Sequence, residues 1–503
     1  MICLLSFKGY GQITFQKNYG GLGSGYGQSV IQTSDGGYIM AGGGADSSSA
    51  GTLLIKTDAN GDTLWIKLYT FGHAGSTDIH QTNDGGYIIT GCSNLDLLVF
   101  RINANGDTLW TREIGGVADN YGNSVQQTSD GGFILTGTIY GGGYNLVLIK
   151  WDANGTVVWV RTFGYFNDYG NCVKQTNDGG YIIAGSTRSF GIGIQNVYLI
   201  KTDSLGDTLW TKTYGGTKID AGNSVCQTTD GGYIIVGSTN SNDTTNLSDV
   251  YLIKTYTNGD TMWTKTYGGA GDDLGQSVQQ TNDGGYIIAG TKDNFSLQTK
   301  IYLIKTNSNG DTLWTKSYQD SSEAQGAIVQ QTSDRGYIIS GIGSSSYGAF
   351  YLIKTDSLGF SGCNDFNTTT KVGSPHTQVT KPHTIVTYSS SANVSIRNMI
   401  IVSGGVVGTI CFNDGINEVR NNQPTISLYP NPNNGTFTLS YSQIQTPNSQ
   451  FRIEDVLGRT VYTHYIYSIE GKETIDVSGL SNGVYFYQLI NNKETMRGKF
   501  VKE

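Results

Sequence analysis

The chain has 503 residues, of which 71 are Gly and only 6 are Pro, with 32 Tyr, 7 Trp and a formal net charge of −8. So much Gly with so little Pro excludes collagen and argues against a helical protein, because Gly is unfavourable inside helices. The many aromatic residues argue against disorder. The acidic, weakly charged composition argues against binding to nucleic acid or anionic membrane.

The first 12 residues contain a short apolar run, Met1–Phe7, which resembles the end of a secretory signal without its basic start. A short disordered start explains this run equally well, and both interpretations stay open. No run of 18 apolar residues follows, so the sequence predicts no transmembrane helix. The six cysteines are widely spaced and form no CxxC pair, which leaves a zinc ribbon or a thioredoxin-like motif unsupported.

A repeat of about 50 residues fills most of the chain. Its Asp-Gly-Gly and its later Asn-Gly or Leu-Gly each predict a tight hairpin turn, so every unit should contain four short antiparallel strands, A to D. This length and strand number are typical of a propeller blade. The marker Gln-Thr-x-Asp-Gly-Gly-aromatic occurs at Gln32–Tyr38, Gln81–Tyr87, Gln127–Phe133, Gln175–Tyr181, Gln227–Tyr233, Gln280–Tyr286 and, with Arg335 replacing the first Gly, Gln331–Tyr337.

The two ends of the repeat region predict how it closes. The last unit stops after strand C, at Tyr351–Thr355, whereas residues 13–21 resemble a strand D such as residues 209–216. A closed ring needs this splice to cover its exposed strand edges, and an open solenoid does not. We therefore predict an all-β protein in which residues 13–360 form a seven-bladed β-propeller closed by the N-terminal strand.

Strand D carries a Trp at one repeated position, which predicts a packing contact between neighbouring blades rather than a ligand cage. These residues are Trp65, Trp110, Trp159, Trp210, Trp263 and Trp314. The layout resembles WD40-like propellers without their Gly-His and Trp-Asp signatures. The repeat is more similar to the Asp-Gly-Gly repeat propellers in surface proteins of gliding and gum-dwelling bacteria, a group of mostly unassigned activity.

The pattern ends at Ser361, and residues 361–423 are rich in Ser, Thr, Asn and Val. We expect a β-rich stalk or an extended linker here. Cys363 and Cys411 bracket this segment. In an oxidising compartment a disulfide between them would close a loop of about 49 residues and contribute about 4 kcal/mol; two free thiols are the alternative.

Residues 424–503 show short alternating strands between Gly, Asn and Pro turns, which predicts a small β-sandwich. They resemble the type A C-terminal sorting domain of the type IX secretion system. Its marks are a Tyr-Pro-Asn-Pro start, an Asp-x-x-Gly-Arg turn, a Leu-x-x-Gly-Val-Tyr segment and a short basic end. The residues that carry the resemblance are Tyr429, Pro430, Asn431, Pro432, Asp455, Gly458, Arg459, Leu480, Gly483, Val484 and Tyr485.

This resemblance implies a Bacteroidota-type host and export through the periplasm and the outer-membrane translocon. It also implies that a sortase removes the domain, after which the mature protein is released or attached to surface lipopolysaccharide. The resemblance predicts a location and says nothing about the activity of the propeller.

The propeller offers few residues for catalysis or metal binding. Asp58, Asn60 and Asp62 could form half of a calcium loop, but later repeats keep the Gly and not the oxygen ligands, so we predict a turn and no metal. Thr-x-Asp-x-Gly resembles part of the sialidase Asp box, but the arginines are scattered. No Ser/His/Asp set or carboxylate pair stands out, so we predict neither an enzyme nor a cofactor.

The D–A and B–C loops vary between repeats and share one rim, where we predict a binding face. Three tyrosines hold the same repeat position there, beside acidic residues, a combination that suits sugars or cationic peptides. Ordinary solvated loops are the alternative. The predicted residues are Tyr26, Tyr121, Tyr169, Asp119, Asp168, Asp220 and Asp273. We thus expect an exported monomeric binding or structural module; a secreted polysaccharide hydrolase and a surface-layer component are the rivals.

Overall fold

The computed structural model describes residues 12–20, 25–45, 49–71, 74–115, 119–241, 247–294, 299–319, 324–343, 349–368, 370–375, 377–380, 394–395, 400–403, 406–413, 425–429, 434–442, 449–456, 458–468, 471–490 and 495–502. The chain divides into two compact units, Met1–Ile416 and Asn417–Glu503. The described residues form strands and turns, which confirms the all-β prediction. Among them, no helix is long and apolar enough to cross a membrane.

The repeat forms seven antiparallel sheets within the described part of the first unit, numbered sheet 1 to sheet 7 in chain order, in a propeller-like arrangement. The first strand among the described residues is β1 (Thr14–Gly20). Sheets 1 to 3 contain β2 (Gly25–Gln32), β3 (Tyr38–Ala45), β4 (Ala50–Thr57) and β5 (Thr63–Thr70); β6 (Ala74–Gln81), β7 (Tyr87–Ser93), β8 (Asp96–Ile102) and β9 (Thr108–Ile114); β10 (Tyr121–Gln127), β11 (Phe133–Tyr140), β12 (Tyr144–Trp151) and β13 (Val157–Phe163).

The remaining four sheets repeat this order of strands A to D, except that the last has only three strands from this part of the chain. Sheets 4 to 7 contain β14 (Tyr169–Gln175), β15 (Tyr181–Thr187), β16 (Asn196–Thr202) and β17 (Thr208–Gly215); β18 (Asp220–Gln227), β19 (Tyr233–Thr239), β20 (Asp249–Thr255) and β21 (Thr261–Gly268); β22 (Asp272–Gln280), β23 (Tyr286–Asn294), β24 (Lys300–Thr306) and β25 (Thr312–Tyr318); β26 (Gln325–Gln331), β27 (Tyr337–Gly343) and β28 (Ala349–Thr355).

The Asp-Gly-Gly motif makes the turn between strands A and B, as its residues predict. In sheet 3 the Asp130 carboxylate accepts hydrogen bonds from the Thr128 hydroxyl at 2.5 Å and the Gly132 N–H at 3.0 Å. Gly131 has φ +81°, a conformation that Gly adopts without strain. In the seventh repeat Arg335 adopts the same left-handed conformation, φ +70°, so the turn survives the loss of that Gly.

The N-terminal strand completes sheet 7. β1 pairs antiparallel with β28, with Lys17 opposite Leu352, and the strand order is β26-β27-β28-β1. Phe15, Tyr19 and Leu352 are fully buried in one hydrophobic cluster with residues of sheet 1. The splice predicted from the two ends of the repeat region is therefore present in the structure.

The segment after the repeats departs from the expected stalk or linker. Residues 365–413, here called the belt, add a fifth, outer strand to sheets 6, 5, 4, 2, 1 and 7, in that order along the chain. The described part of sheet 3 has four strands. The first unit consequently extends to residue 416 rather than ending at 360. The belt strands are β29 (Asp365–Asn367), β30 (Lys371–Gly373), β31 (Gln378–Thr380), β32 (Val394–Ser395), β33 (Ile400–Ser403) and β34 (Val406–Asn413).

The second unit contains two antiparallel sheets, ordered β35-β36-β39 and β38-β37-β40-β41. Buried side chains from both sheets, such as Phe437 and Phe451, belong to one hydrophobic cluster. The strands are β35 (Thr425–Tyr429), β36 (Thr436–Ser442), β37 (Ser449–Glu454), β38 (Thr460–Ile466), β39 (Gly471–Asp476), β40 (Gly483–Ile490) and β41 (Thr495–Lys502).

Candidate functional site

The strand D tryptophans pack between neighbouring sheets, as predicted. The Trp210 ring meets Tyr233 of the next sheet edge-on, with ring centres 5.9 Å apart. It also covers Gly259 in the next sheet's C–D turn, where an added Cβ would lie 2.7 Å from the indole. The same packing occurs in the pairs Trp110–Phe133, Trp159–Tyr181, Trp263–Tyr286, Trp314–Tyr337 and, at the splice, Phe15–Tyr38.

The motif Gln links each sheet to the one before it, a role that the sequence analysis missed. The Gln127 Oε1 accepts a hydrogen bond from the backbone N–H of Asn83 at 2.8 Å, and its Nε2 donates to the Gly131 carbonyl at 3.3 Å. The same bond joins sheet 1 to sheet 7, through Gln32 and Ser333. The presence of Gln in all seven motifs was the available signal. The other pairs are Gln81–Ser34, Gln175–Ser129, Gln227–Asn177, Gln280–Thr229 and Gln331–Asn282.

The motif Asp residues are held by ion pairs within their own sheets. Lys150 lies 2.9 Å from the Asp130 carboxylate. Burial alone would raise the pKa of Asp130, but hydrogen bonds from Thr128 and Lys150 outweigh it and lower the pKa to about 2. The rim that carries these turns therefore uses its charged side chains for its own structure. The equivalent pairs are Lys56–Asp35, Arg101–Asp84, Lys201–Asp178, Lys254–Asp230, Lys305–Asp283 and Lys354–Asp334.

The candidate calcium loop is a hydrogen-bonded turn in this structure. Asp58 Oδ1 accepts hydrogen bonds from the backbone N–H groups of Asn60, at 2.9 Å, and Asp62, at 2.8 Å. Asp62 in turn forms an ion pair with Lys17, at 2.7 Å, which links sheet 1 to sheet 7. These contacts support the interpretation of this segment as a turn.

The opposite rim carries an arc of aromatic side chains, here called the aromatic arc. Tyr26 and Tyr121 are 39% and 36% exposed. The Tyr121 hydroxyl donates a hydrogen bond to Asp119, at 3.0 Å. Tyr169 stacks on Tyr144, with ring centres 6.0 Å apart. Further members that the predicted site did not include are Tyr140, Tyr144, Tyr165 and Phe166, of which Tyr140, Tyr165 and Phe166 are exposed.

Three of the predicted acidic residues, Asp168, Asp220 and Asp273, are fully buried. The Asp168 carboxylate accepts hydrogen bonds from the backbone N–H groups of Tyr165, at 2.8 Å, and Phe166, at 3.2 Å. It therefore holds the loop that presents two arc residues. The structure thus buries the predicted site residue Asp168 within its loop, and a direct role in ligand binding stays a prediction.

Asp220 and Asp273 occupy the same repeat position and also bind their own loops. The Asp220 carboxylate accepts hydrogen bonds from the Gly216 N–H, at 2.8 Å, and the Ser241 hydroxyl, at 2.9 Å. That of Asp273 accepts one from the Asp293 N–H, at 3.0 Å. Burial raises the pKa of both carboxyl groups. Of the predicted acidic set, Asp119 alone is partly exposed in the described structure.

The cysteines fall into two classes. Cys92, Cys172 and Cys226 are free thiols, whereas Cys363 is disulfide-bonded. The Cys363 carbonyl accepts a hydrogen bond from the Gln16 side chain, and the backbone of Cys411 pairs with Gln16 in the β34–β1 ladder. The Cys411 side chain lies outside the described residues, so its pairing with Cys363 stays a prediction.

The predicted sorting residues lie in the second unit. Arg459 donates a hydrogen bond to Asp455 at 2.7 Å within its turn, and Gly458 has φ +77°. Gly483 begins β40, and Tyr485 stacks on Phe500 with ring centres 5.5 Å apart. Tyr429 ends β35, and Pro430, Asn431 and Pro432 lie outside the described residues.

Comparison with known families identifies the C-terminal region. Residues 427–503 match the secretion system C-terminal sorting domain, which confirms the resemblance drawn from the sequence. The chain is accordingly a secreted protein of the cell surface. No curated protein matches it.

Several solved structures are similar in outline. PorZ, a surface component of the type IX secretion system of Porphyromonas gingivalis, is 10% identical with a TM-score of 0.37, over 93% of this chain and 69% of that chain. Sqt1 from Chaetomium thermophilum is 10% identical with a TM-score of 0.40, over 66% and 82%. A protein from Dyadobacter fermentans is 8% identical with a TM-score of 0.39, over 69% and 100%. Similarities at this level carry no conclusion about function.

Proposed function

We propose that the chain is a non-catalytic binding module of a bacterial cell surface, in which a seven-bladed propeller presents the aromatic arc to a glycan. The observation that carries this proposal is the contrast between the two rims. On one rim the motif Gln side chains form hydrogen bonds between sheets, and the motif Asp side chains form ion pairs within their own sheets. On the other, aromatic side chains remain exposed.

The closed ring is supported by contacts between the first and last sheets. β1 pairs with β28, β2 of sheet 1 contacts β27 of sheet 7, and Gln32 accepts a hydrogen bond from Ser333. These contacts repeat those at the other junctions. A ring of seven blades would hold the D–A and B–C loops at fixed positions, which favours ligand binding because little ordering is needed.

A glycan fits the arc better than a cationic peptide. Tyr faces pack well against the apolar C–H faces of sugar rings, and their hydroxyl groups remain available for hydrogen bonds. The arc has few charges, since Asp168, Asp220 and Asp273 are buried in their loops. Asp119 already accepts a hydrogen bond from Tyr121, which places a second acceptor next to an aromatic face.

A glycan array probed with the full chain tests this site. We expect Tyr121→Ala and Tyr140→Ala to abolish binding, because both rings are exposed and their loss leaves the core intact. Tyr256→Ala is the matched control, since Tyr256 is a comparably exposed Tyr in a C–D turn on the opposite rim. Unchanged binding by the arc variants would refute the site. Hydrolysis of a bound polysaccharide that Asp119→Asn abolishes would indicate an enzyme instead.

The second unit directs export in this proposal. Its two sheets share one hydrophobic cluster, which supports a small sandwich that a type IX translocon recognises and a sortase removes. Surface lipopolysaccharide is the expected attachment site in a Bacteroidota-type host. A chain that lacks residues 424–503 should accumulate in the periplasm, measured by cell fractionation, whereas the full chain reaches the surface. Surface display of the shortened chain would refute this role.

The belt is also proposed to be covalently closed. Both cysteines lie next to Gln16. The Cys363 carbonyl accepts a hydrogen bond from the Gln16 side chain, and Cys411 is opposite Gln16 in the β34–β1 ladder. Between them the chain passes the outer strands of sheets 6, 5, 4, 2, 1 and 7. A Cys363–Cys411 disulfide would therefore tie the belt into a loop around the ring.

A further inference from the structure

The first strands of the seven sheets surround a cavity of about 310 Å³ that the proposed function does not use. The start of strand A carries the three tyrosines that share one repeat position, Tyr26, Tyr121 and Tyr169, and its end carries the motif Gln. The residue just before the motif Gln lines the cavity near the turn rim. In five of the sheets this lining residue has a polar side chain: His80, Lys174, Cys226, Gln279 and Gln330.

Lys174 is one of the residues that line this cavity. No hydrogen bond or ion pair joins it to any of the residues that the structure describes. Asp78, the carboxylate of the cavity lining, is already engaged: it accepts hydrogen bonds from the N–H groups of Ile79, at 2.9 Å, and Val125, at 3.1 Å, and from the Ser29 hydroxyl, at 3.2 Å. Burial would lower the pKa of the Lys174 ammonium, but Coulombic attraction from the Cys172 thiol, Asp78 and the Cys226 thiol raises it. Because this attraction comes without a direct hydrogen bond to the ammonium, a bound anion would stabilise it further.

Two glutamine amides add donors to the same cavity. The Gln279 Oε1 accepts a hydrogen bond from the Gln331 N–H at 2.7 Å, and the Gln330 Oε1 accepts one from the Gln32 N–H at 2.6 Å. These bonds fix both carboxamides. Within the described ranges their Nε2 groups have no acceptor, which leaves N–H donors for a ligand.

His80 does not supply a competing charge. Its Nδ1 lies 2.9 Å from the Gln81 carbonyl, which orients the ring. Burial and the nearby Lys174 charge lower the pKa of His80, so the ring is neutral near pH 7. The cation of this end of the cavity is therefore Lys174.

We propose that the cavity binds a small oxyanion, held by the Lys174 ammonium and the Gln279 and Gln330 amides. Hydrogen bonds from a charged donor to an oxyanion are among the stronger polar contacts in proteins. The ligand chemistry is that of a carboxylate or a phosphate. The site is separate from the aromatic arc, because it lies at the opposite end of strand A.

Isothermal titration of the full chain tests this site with three probes: glucuronate, acetate and inorganic phosphate, with glucose as the neutral control. We expect wild-type protein to bind at least one oxyanion and not glucose. Glucuronate binding without phosphate binding would identify an acidic sugar as the ligand class, and the reverse would identify a free inorganic oxyanion. Failure of all three oxyanions to bind would refute the site.

Two variants test the residues. Lys174→Met removes the charge, and Gln330→Glu keeps the oxygen that accepts from Gln32 while replacing the N–H donors with an anionic oxygen. Each should weaken binding by about tenfold or more. Lys371→Met, in an exposed belt position, should bind as wild type does. Equal affinity in wild type and Lys174→Met would refute the proposal.

A thermal shift gives an independent readout. The bound oxyanion should raise the melting temperature of wild-type protein and leave that of Lys174→Met unchanged, because a ligand stabilises only the state that binds it. Tyr121→Ala should retain oxyanion binding. The glycan array therefore tests the aromatic arc, and the oxyanion titration tests the cavity, so that either site can fail without the other.

Discussion

The repeat strands and the belt strands join the same sheets, but different interactions hold them. A repeat strand such as β15 has all seven residues buried, and it is linked to its neighbour by a short Asp-Gly-Gly turn. A belt strand such as β31 has three residues, none of them buried, and pairs with one edge strand, β17. The comparison shows that apolar burial builds the sheets, whereas backbone pairing covers their edges.

The belt's composition matches this role. Thr380 and Thr213 share a hydrogen bond between their hydroxyl groups at 2.5 Å, and the Thr315 hydroxyl donates to the Thr368 carbonyl at 2.8 Å. Tyr251 and Tyr302 likewise share hydrogen bonds with Thr377 and Thr370. The Thr content that suggested a linker therefore supplies partners for polar side chains along the sheets.

The largest expected effect concerns the belt's closure. Cys363→Ser with Cys411→Ser should lower the free energy of unfolding by about 4 kcal/mol, because the unfolded chain regains the freedom of a loop of about 49 residues. Urea unfolding under non-reducing conditions measures this change. Cys92→Ser removes a free thiol and is the control. A mass spectrum that links Cys363 to a cysteine other than Cys411 would show that the belt is not closed in this way.

A strand D tryptophan should matter almost as much. Trp210→Ala should cost about 3 kcal/mol, because the indole packs on Tyr233 and Gly259 of the next sheet. Leu209→Ala is the matched control, since the adjacent Leu209 is 58% exposed on the same strand. The urea midpoint measures both. Equal small losses would mean that the sheets do not depend on this contact.

The hydrogen bonds of the motif Gln test whether the junction between sheets 1 and 7 contributes as much stability as the other junctions between sheets. Gln32→Leu removes the bond to Ser333 between sheets 1 and 7, and Gln127→Leu removes the same bond to Asn83 between sheets 3 and 2. Each should cost about 1 kcal/mol. Urea unfolding compares the two. A loss at Gln127 with none at Gln32 would argue against a closed ring.

Acid should weaken the repeat sheets more than the belt. All seven motif Asp residues have a lowered pKa, so the stability they contribute is present above their unfolded pKa of about 3.9 and is lost as pH falls toward about 2, the value for Asp130. Burial raises the pKa of Asp220, Asp273 and the belt's Asp365, whose protonation acts in the opposite direction.

The change per carboxylate is small, because most of these side chains are more than half exposed and water screens them. Urea midpoints at pH 7, 5.5 and 2.5 should stay level between the first two and fall at the third. Asp130→Asn should reduce this fall slightly. A midpoint that rises below pH 4 would mean that the buried loop carboxylates dominate.

Much of the candidate site was predictable by comparing the repeats with one another. The equivalent positions of Tyr26, Tyr121 and Tyr169 indicated a shared rim, because a repeated unit places equivalent residues at equivalent points. The same comparison places Asp119 one residue earlier in its repeat than Asp168, but it does not show which of the two carboxylates is buried. Only the loop contacts show that Asp168 is buried by the N–H groups of Tyr165 and Phe166.

The strands, turns and Trp contacts of the repeat could be predicted from sequence, because they depend on residues within one unit or the next and recur along the chain. It also determined the export address, which rests on local motifs at the C-terminus. Three features became visible only in the tertiary structure: the path of the belt, the role of the motif Gln and the side chains that line the central cavity. Each of these joins residues far apart in the chain, and no local pattern encodes such a pairing.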